Sequence, residues 1–176
     1  MSGHNKWSQI KEKKGKSDAK RSQVFSKYAK LIANEERSAK GNREAPALRA
    51  AIERARKENM PSDNIERAIK KATENGGAAF ESILYEGYGP GGVALLIEVL
   101  TDSRNRASNE LKFLLAEHGG NLASPGAATW AFLKTSGGWK PSTLVALSDE
   151  DLLKLDALVE KLEANEDVQE VVTNAE

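Results

Sequence analysis

Apolar residues in the first part of the chain recur at the spacing of amphipathic helices. The predicted helices span 18–39, 46–59 and a segment that begins at 61 and ends before Gly76-Gly77. Their apolar faces carry Val24, Phe25, Tyr28, Leu31, Ile32, Leu48, Ala51, Ile52, Ala55, Ile65, Ala68, Ile69 and Ala72. Because these faces are narrow and the other positions are dense in Lys and Arg, the pattern predicts a small basic three-helix bundle.

The period of the apolar pattern changes after Gly77. The predicted strands are 80–88, 93–100, 128–134, 143–147 and 168–173. A helix capped by Asp102 separates the second strand from the third, and a helix capped by Ser148 separates the fourth from the fifth. The run 93–100 is almost entirely apolar, as is typical of a central strand.

This order of elements predicts an α+β protein with two domains. Residues 1–77 form the three-helix basic domain, and residues 78–176 form an acidic domain. From Val93 onward the order β-α-β-β-α-β is that of the ferredoxin-like split unit, with the 80–88 strand added in front. Both helices are expected on one face of an antiparallel sheet, which leaves the other face for solvent or a partner.

The formal charge of zero hides a strong asymmetry. Residues 1–75 carry 19 Lys+Arg against 10 Asp+Glu, and residues 76–176 carry 7 against 16. The first 30 residues alone hold 9 Lys+Arg and 2 acids. Such a concentration of positive charge attracts a polyanion, most simply nucleic acid. The alternative is a solvated basic tail without a partner, which would gain nothing from the ring of Trp7.

The candidate nucleic-acid-binding residues follow from this asymmetry. We expect the cations of this set to neutralise phosphates and the ring of Trp7 to stack on a base or wedge into RNA. The residues are Lys6, Trp7, Lys11, Lys13, Lys14, Lys16, Lys20 and Arg21.

Several function classes are excluded or disfavoured by composition. The chain has no Cys and only two His residues, His4 and His118, so we expect no metal site, no cofactor and no nucleophile–base pair. The sequence therefore predicts a protein that is not an enzyme and takes no small-molecule substrate. No apolar run is long enough to span a bilayer, and no hydrophobic region follows the basic N-terminus. We expect a cytoplasmic protein, or a mitochondrial one in a eukaryote.

The stretch Glu86-Gly87-Tyr88-Gly89-Pro90-Gly91-Gly92 is unusually rich in glycine. It predicts either a phosphate-binding nest or a tight connector between two strands. No Lys-Ser/Thr follows, so it is not a P-loop. Tyr88 beside this loop is a candidate for contact with a base or a partner.

Arg104-Asn105-Arg106 opens a helix directly after a strand. Two arginines in a first turn oppose the helix dipole, so they are expected either to bind an anion there or to pair with Glu86, Glu98 or Glu110. The sequence leaves both interpretations open. Residues 86–92 and 104–106 together form the predicted second contact surface.

The chain resembles the YebC family along nearly its whole length. The motifs that carry the resemblance are Gly3-His4-Asn5-Lys6-Trp7, Asp18-Ala19-Lys20-Arg21, Asn59-Met60-Pro61, Ile65-Glu66-Arg67-Ala68-Ile69, Tyr85 to Gly92, Thr101-Asp102, Arg104-Asn105-Arg106 and His118 to Leu122. The resemblance implies a helical N-terminal domain, two α/β domains and a nucleic-acid-linked role. Bacterial members are labelled as DNA-binding transcriptional regulators, and mitochondrial members are translational activators of cytochrome oxidase subunit I.

The resemblance also implies a ribosome-associated role in synthesis through proline-rich stretches. Members insert a third domain between the strand ending near Lys134 and the segment starting near Pro141, whereas here a short bridge near 135–140 replaces it. The leading hypothesis is a translation factor that docks on ribosomal RNA or transfer RNA. The alternatives are a DNA-binding transcriptional regulator and a protein–protein adaptor that acts through its acidic half.

Overall fold

A computed structural model of the chain describes residues 5–14, 18–74 and 79–176. The chain divides into two compact units. Lys16–Phe80 forms the helical unit, and Met1–Gly15 together with Glu81–Glu176 forms the α/β unit. This grouping differs from the predicted 1–77 domain, because the N-terminal helix packs on the α/β unit. Gly76-Gly77, the predicted boundary, lies outside the described residues.

The helical unit contains the three predicted helices. They are α2 (Asp18–Ala39), α3 (Pro46–Lys57) and α4 (Ser62–Glu74), which follow an N-terminal helix, α1 (Lys6–Lys13), of the other unit. Helix α2 packs against both α3 and α4. The shared core contains Ile32, Leu48, Ala51, Ala55, Met60, Ile65, Ala68 and Ile69. The apolar spacing of the sequence thus placed these helices correctly.

The α/β unit is built on a four-stranded antiparallel sheet. Its elements in chain order are β1 (Glu81–Tyr88), β2 (Ala94–Thr101), α5 (Arg104–Glu117), β3 (Asn121–Ala123), β4 (Phe132–Thr135), β5 (Gly138–Pro141), α6 (Asp149–Ala164) and β6 (Val168–Thr173). The sheet has the strand order β3-β1-β2-β6, and β1 pairs with β2 from Glu81↔Thr101 to Tyr88↔Ala94. Strands β4 and β5 form a separate two-stranded sheet.

The expected ferredoxin-like arrangement is therefore corrected. Of the predicted strand 128–134, only the end belongs to a strand, and in 143–147 only Val145 forms a bridge, to Ala175. The short β3 instead pairs with β1. This pairing is close, because a Cβ on Gly87 would lie 2.8 Å from the backbone oxygen of Asn121.

Both faces of the four-stranded sheet are covered. One face packs Leu95, Ile97 and Val99 against the leucines of α5 and α6. The other packs Ala94 and Leu96 against Ala128, Ala131 and Phe132, with Trp139 partly buried beside them. The expectation of an open face was wrong, and this covering explains why β2 is apolar at nearly every position.

None of the helices in the described ranges combines the length and the apolar character that a bilayer-spanning helix needs.

Candidate nucleic-acid interface

The basic N-terminal segment forms a helix whose lysines face the acidic helix α6. Asn5 caps α1 by accepting a hydrogen bond from the backbone N–H of Ser8 at 2.9 Å. The lysine ammonium groups then pair with carboxylates of α6: Lys6 with Asp149 at 3.1 Å, Lys11 with Glu163 at 2.7 Å, and Lys14 with Asp156 at 2.5 Å and with Glu160 at 2.8 Å. The hydrogen bond to Asp156 raises the pKa of Lys14, and the bond to Glu160 adds to this.

The ring of Trp7 belongs to the core of the α/β unit. Trp7 is 8% exposed and lies in the cluster that contains Val93, Leu95 and Leu158. Ile10 packs against the same cluster. The expectation that this ring stacks on a base is corrected, because α1 is amphipathic and buries its apolar side.

The other predicted N-terminal cations differ in position. Lys20 and Arg21 lie in the first turns of α2, where Arg21 is exposed. Lys13 lies at the end of α1, but its side chain is outside the description, and so is all of Lys16. Phosphate binding by these residues stays a prediction. For Lys6, Lys11 and Lys14, such binding would compete with the carboxylates of α6.

The helical unit is the basic part of the molecule. It holds 15 Lys+Arg and 9 Asp+Glu, net +6, whereas the α/β unit holds 11 and 17, net −6. Its exposed cations include a set that we call the α3–α4 cations: Arg54 and Lys57 on α3, and Arg67 and Lys71 on α4. Within the described ranges, no carboxylate pairs with any of these four.

None of the α3–α4 cations was predicted from the sequence, because the density of positive charge is highest in the first 30 residues. The signal was present in the helix periodicity. On α3, Lys57 lies opposite the buried Leu48, Ala51 and Ala55, and Arg54 lies at the flank of that face. The same spacing places Arg67 and Lys71 on the solvent side of α4.

Glu86, which belongs to the predicted second contact surface, has a structural role. Its side chain is 5% exposed, so it is not available as a contact residue. One carboxylate oxygen accepts the N–H of Gly126 at 2.6 Å, and the other accepts those of Ala128 and Thr129 at 2.7 and 2.8 Å. Glu86 therefore holds the 126–129 segment against β1.

Tyr88 is engaged by the same segment. Its hydroxyl donates to the carbonyl of Ala127 and accepts from the indole N–H of Trp130 at 3.1 Å. The expectation of a Tyr88 ring free for stacking is corrected, because the ring packs with Ala94 and Leu96. Trp130 is the exposed aromatic here, at 60%.

The glycine-rich stretch is the connector between β1 and β2. The N–H of Gly89 donates to Val93 at 2.8 Å, and that of Gly92 donates back to Gly89 at 3.1 Å. Gly91 has φ +69°, and a Cβ there would lie 2.5 Å from the side chain of Leu147. These internal hydrogen bonds fit the connector interpretation, and Gly87, Gly89 and Pro90 are buried.

Both arginines of the 104–106 segment are paired. Arg104 bonds Glu81, whose carboxylate raises the pKa of the guanidinium. Arg106 bonds Asp167 at 2.7 Å and Asp102 at 2.9 Å, and these contacts raise its pKa in turn. Asn105 is exposed. The ion-pair interpretation therefore describes these arginines, although among the expected partners only Glu110 lies near Arg106, at 4.0 Å.

Metal-ligating side chains do not converge in the described part of the chain. No group of three or more His, Asp or Glu residues there could hold a metal ion.

The fold and the charge distribution define a two-unit α+β protein whose helical unit is basic. Residues 5–75 match the family described as the TACO1/YebC protein N-terminal domain, and residues 80–137 match the TACO1/YebC second and third domain. The chain belongs to the TACO1/YebC family.

Relatives of this chain carry the name "probable transcriptional regulatory protein". One from Dictyoglomus turgidum is 45% identical over all of this chain and 72% of its own length. One from Treponema pallidum is 38% identical over 238 positions, which cover 100% of this chain and 97% of the relative. Since this chain has 176 residues, at least 62 of those positions have no counterpart in it.

The fold is similar to a solved structure. The crystal structure of a conserved hypothetical protein from Aquifex aeolicus superposes with a TM-score of 0.77 at 32% identity, covering 90% of this chain and 91% of the other.

Proposed function

We propose that this protein is a non-enzymatic nucleic-acid-binding regulator that acts as a ribosome-associated translation factor. The observation that carries the proposal is the excess of positive charge on the helical unit, net +6, with the exposed α3–α4 cations free of ion pairs within the described ranges. Exposed cations without carboxylate partners bind phosphates without first breaking internal contacts. The contact surface comprises these four cations together with Lys20 and Arg21.

Helix α1 has a secondary part in this proposal. Its lysines contact RNA phosphates only after they leave the carboxylates of α6, so their contribution to affinity is reduced by the strength of those ion pairs. Trp7 anchors α1 rather than contacting the RNA.

The second candidate is a DNA-binding transcriptional regulator, which the names of the relatives favour. Helices α3 and α4 are joined by residues 58–61, a length typical of a helix-turn-helix. In that motif the N-terminal part of the second helix reads base edges in the major groove. Here that part of α4 carries Asp63 and Glu66, whose carboxylates are repelled by the DNA backbone. Charge therefore favours RNA over a duplex read by α4.

The test compares three substrates at one salt concentration. The full chain is sedimented with ribosomes through sucrose gradients and is titrated with single-stranded RNA and with duplex DNA at about 100 mM salt. We expect cosedimentation with ribosomes and tighter binding to RNA. Tighter duplex binding without cosedimentation would favour the transcriptional candidate.

A matched pair of variants locates the surface. Replacing the four α3–α4 cations with Ala should flatten the slope of log K against log salt by about 3 for single-stranded RNA. The control replaces Lys6, Lys11 and Lys14 with Ala and should change the slope less. If the slope changes more in the α1 variant than in the α3–α4 variant, the interface lies on α1.

The translational role is tested separately in a reconstituted translation reaction. A message with consecutive proline codons is compared with one in which alanine codons replace them. We expect the protein to raise synthesis of the first message only. Equal effects on both would contradict the role in proline-rich stretches while leaving ribosome binding intact.

A further inference from the structure

The helical unit contains an open groove of about 550 Å³ between α2, the loop before α3, and α4. This volume lies within the range of small-ligand sites. Three cations line the groove: Arg43, Arg67 and Lys70. Ile69 supplies an apolar wall, and the lining also contains two acids, Glu66 on α4 and Glu36 on α2.

Glu36 is unusual among the acids of this unit. It is 2% exposed, and its Oε2 has no hydrogen-bond partner. Buried carboxylate oxygens are almost always paired, because an unpaired one has lost its hydration without compensation. Because Glu36 belongs to the groove lining, its unpaired oxygen is suited to a ligand that brings an N–H donor.

The nearby arginine does not fill that role. Both terminal nitrogens of Arg43 bond the carboxylate of Glu66, at 3.3 and 3.2 Å. This paired arrangement raises the pKa of Arg43 and lowers that of Glu66. Glu36 acts on Arg43 only through its charge.

A ligand that fits this groove therefore needs two chemical features. The ligand must donate N–H groups to a carboxylate and must carry negative charge that Arg67 and Lys70 can neutralise. Lys70 lies 3.6 Å from the carboxylate of Glu74 in an exposed ion pair, which a phosphate would replace. A nucleotide has both features, in its base and its phosphate. Among the bases, guanine alone presents two adjacent donors, N1–H and N2–H₂, on its Watson–Crick edge. In the other bases the donors on that edge are flanked by acceptors, which a carboxylate repels.

We propose that this groove binds an unpaired guanine nucleotide of RNA, with Glu36 accepting from the Watson–Crick edge of the base and Arg67 and Lys70 contacting the adjacent phosphate. Unstacked bases in single-stranded RNA are recognised through this edge. The inference rests on the proposed RNA binding and adds a base preference to it.

The test measures base preference with RNAs of roughly eight nucleotides, which suits a single binding unit. Oligouridine is compared with versions that carry one central guanine, inosine, adenine or cytosine. We expect the guanine version to bind the full-length protein about tenfold more tightly than oligouridine. Inosine lacks the N2 amino group and should lose most of this preference. Free guanosine monophosphate should compete weakly, because it lacks the flanking phosphates.

Glu36→Gln is the matching variant, since it keeps the shape and replaces one acceptor with a donor. It should abolish the guanine preference while leaving the affinity for oligouridine and its salt slope unchanged. Glu35→Gln removes a neighbouring carboxylate outside the groove lining and should keep the preference.

The outcomes separate this inference from the proposed function. If every oligonucleotide binds but guanine has no advantage, the groove is not a guanine site and RNA binding stands. If no oligonucleotide binds, both fail together. If arginine amide displaces RNA as well as guanosine monophosphate does, the groove takes a cationic peptide and the inference is overturned. If the Glu36→Gln variant does not fold, the difference in affinity of the unaltered protein for the guanine and inosine oligonucleotides still tests the inference.

Discussion

Replacing Glu86 with Gln tests whether one buried carboxylate holds the 126–129 segment on the sheet. In the native protein both oxygens of Glu86 accept backbone N–H groups, three in total, from Gly126, Ala128 and Thr129. Gln keeps one oxygen and turns an amide donor toward the remaining N–H. The best arrangement keeps the oxygen toward Ala128 and Thr129, because Ala128 is fully buried and Gly126 is exposed to water.

The expected loss follows from these three bonds. A hydrogen bond to a charged group contributes about 1.5–3 kcal/mol, and a neutral one contributes about 0.5–1.5 kcal/mol. Glu86→Gln removes one charged bond and converts the other two to neutral ones, while it relieves the burial of a charge. We expect the free energy of unfolding of the α/β unit to fall by about 2–3 kcal/mol.

The effect should depend on pH in a defined direction. Burial raises the pKa of Glu86, but the N–H groups of Gly126, Ala128 and Thr129 outweigh it and hold the pKa below the ordinary 4.5. Because the folded pKa lies below the unfolded one, the stabilisation is complete above about pH 4.5 and is lost as the pH falls through the folded value. The difference between the native protein and Glu86→Gln should therefore shrink below about pH 4.5.

The assay is urea unfolding followed by tryptophan fluorescence. Trp7, Trp130 and Trp139 all lie in the α/β unit, so the signal reports that unit alone. Glu117→Gln is the control, since Glu117 is exposed, and should change stability by less than about 0.5 kcal/mol. A difference between Glu86→Gln and the native protein that is small at pH 7, or that grows on acidification, would refute the reasoning.

Three further changes test other parts of the fold. Trp7→Ala should destabilise the α/β unit by about 3–4 kcal/mol in urea unfolding. Unaltered stability would show that the ring of Trp7 is exposed to solvent and not part of the core. Lys14→Met should lower the free energy of unfolding by about 0.5 kcal/mol at low salt and by almost nothing at about 1 M salt, since the ion pairs of Lys14 are partly exposed. Lys112→Met on α5 is the control, and an equal loss of stability in the two variants would contradict the pairing of Lys14. Gly87→Ala should destabilise the unit by about 1–3 kcal/mol, because its Cβ would lie 2.8 Å from the β3 backbone. Gly137→Ala is the control and should be neutral in the same assay, because its Cβ would make only an ordinary contact, 3.8 Å from Oγ1 of Thr135.

The helical unit could be predicted closely because its elements depend on local pattern. The boundaries of α3 follow from Pro46 at its start and the apolar spacing of Leu48, Ala51 and Ala55. The same holds for the position of β2, whose apolar run predicts a central strand. What the run does not reveal is which segments cover it.

The errors arose where pairing is non-local. Each ion pair between α1 and α6 joins residues 142 to 152 positions apart, so charge density alone suggested that these lysines bind nucleic acid. The pairing of the strands also depends on backbone groups that are far apart in the sequence. The run of apolar residues in 128–134 covers the sheet face rather than extending the sheet, because the carboxylate of Glu86 binds the N–H groups of Ala128 and Thr129.

The β4–β5 hairpin closes with a short turn on the surface of the α/β unit. Thr135 and Gly138 face each other across the exposed Ser136-Gly137 turn, and neither strand belongs to the four-stranded sheet. The family match to the second and third domains ends at residue 137, inside this turn. Extra chain inserted at this point would leave the pairing of the four-stranded sheet unchanged, because exposed turns of small residues tolerate insertion. The same turn is the natural place to attach a fluorophore or an affinity tag.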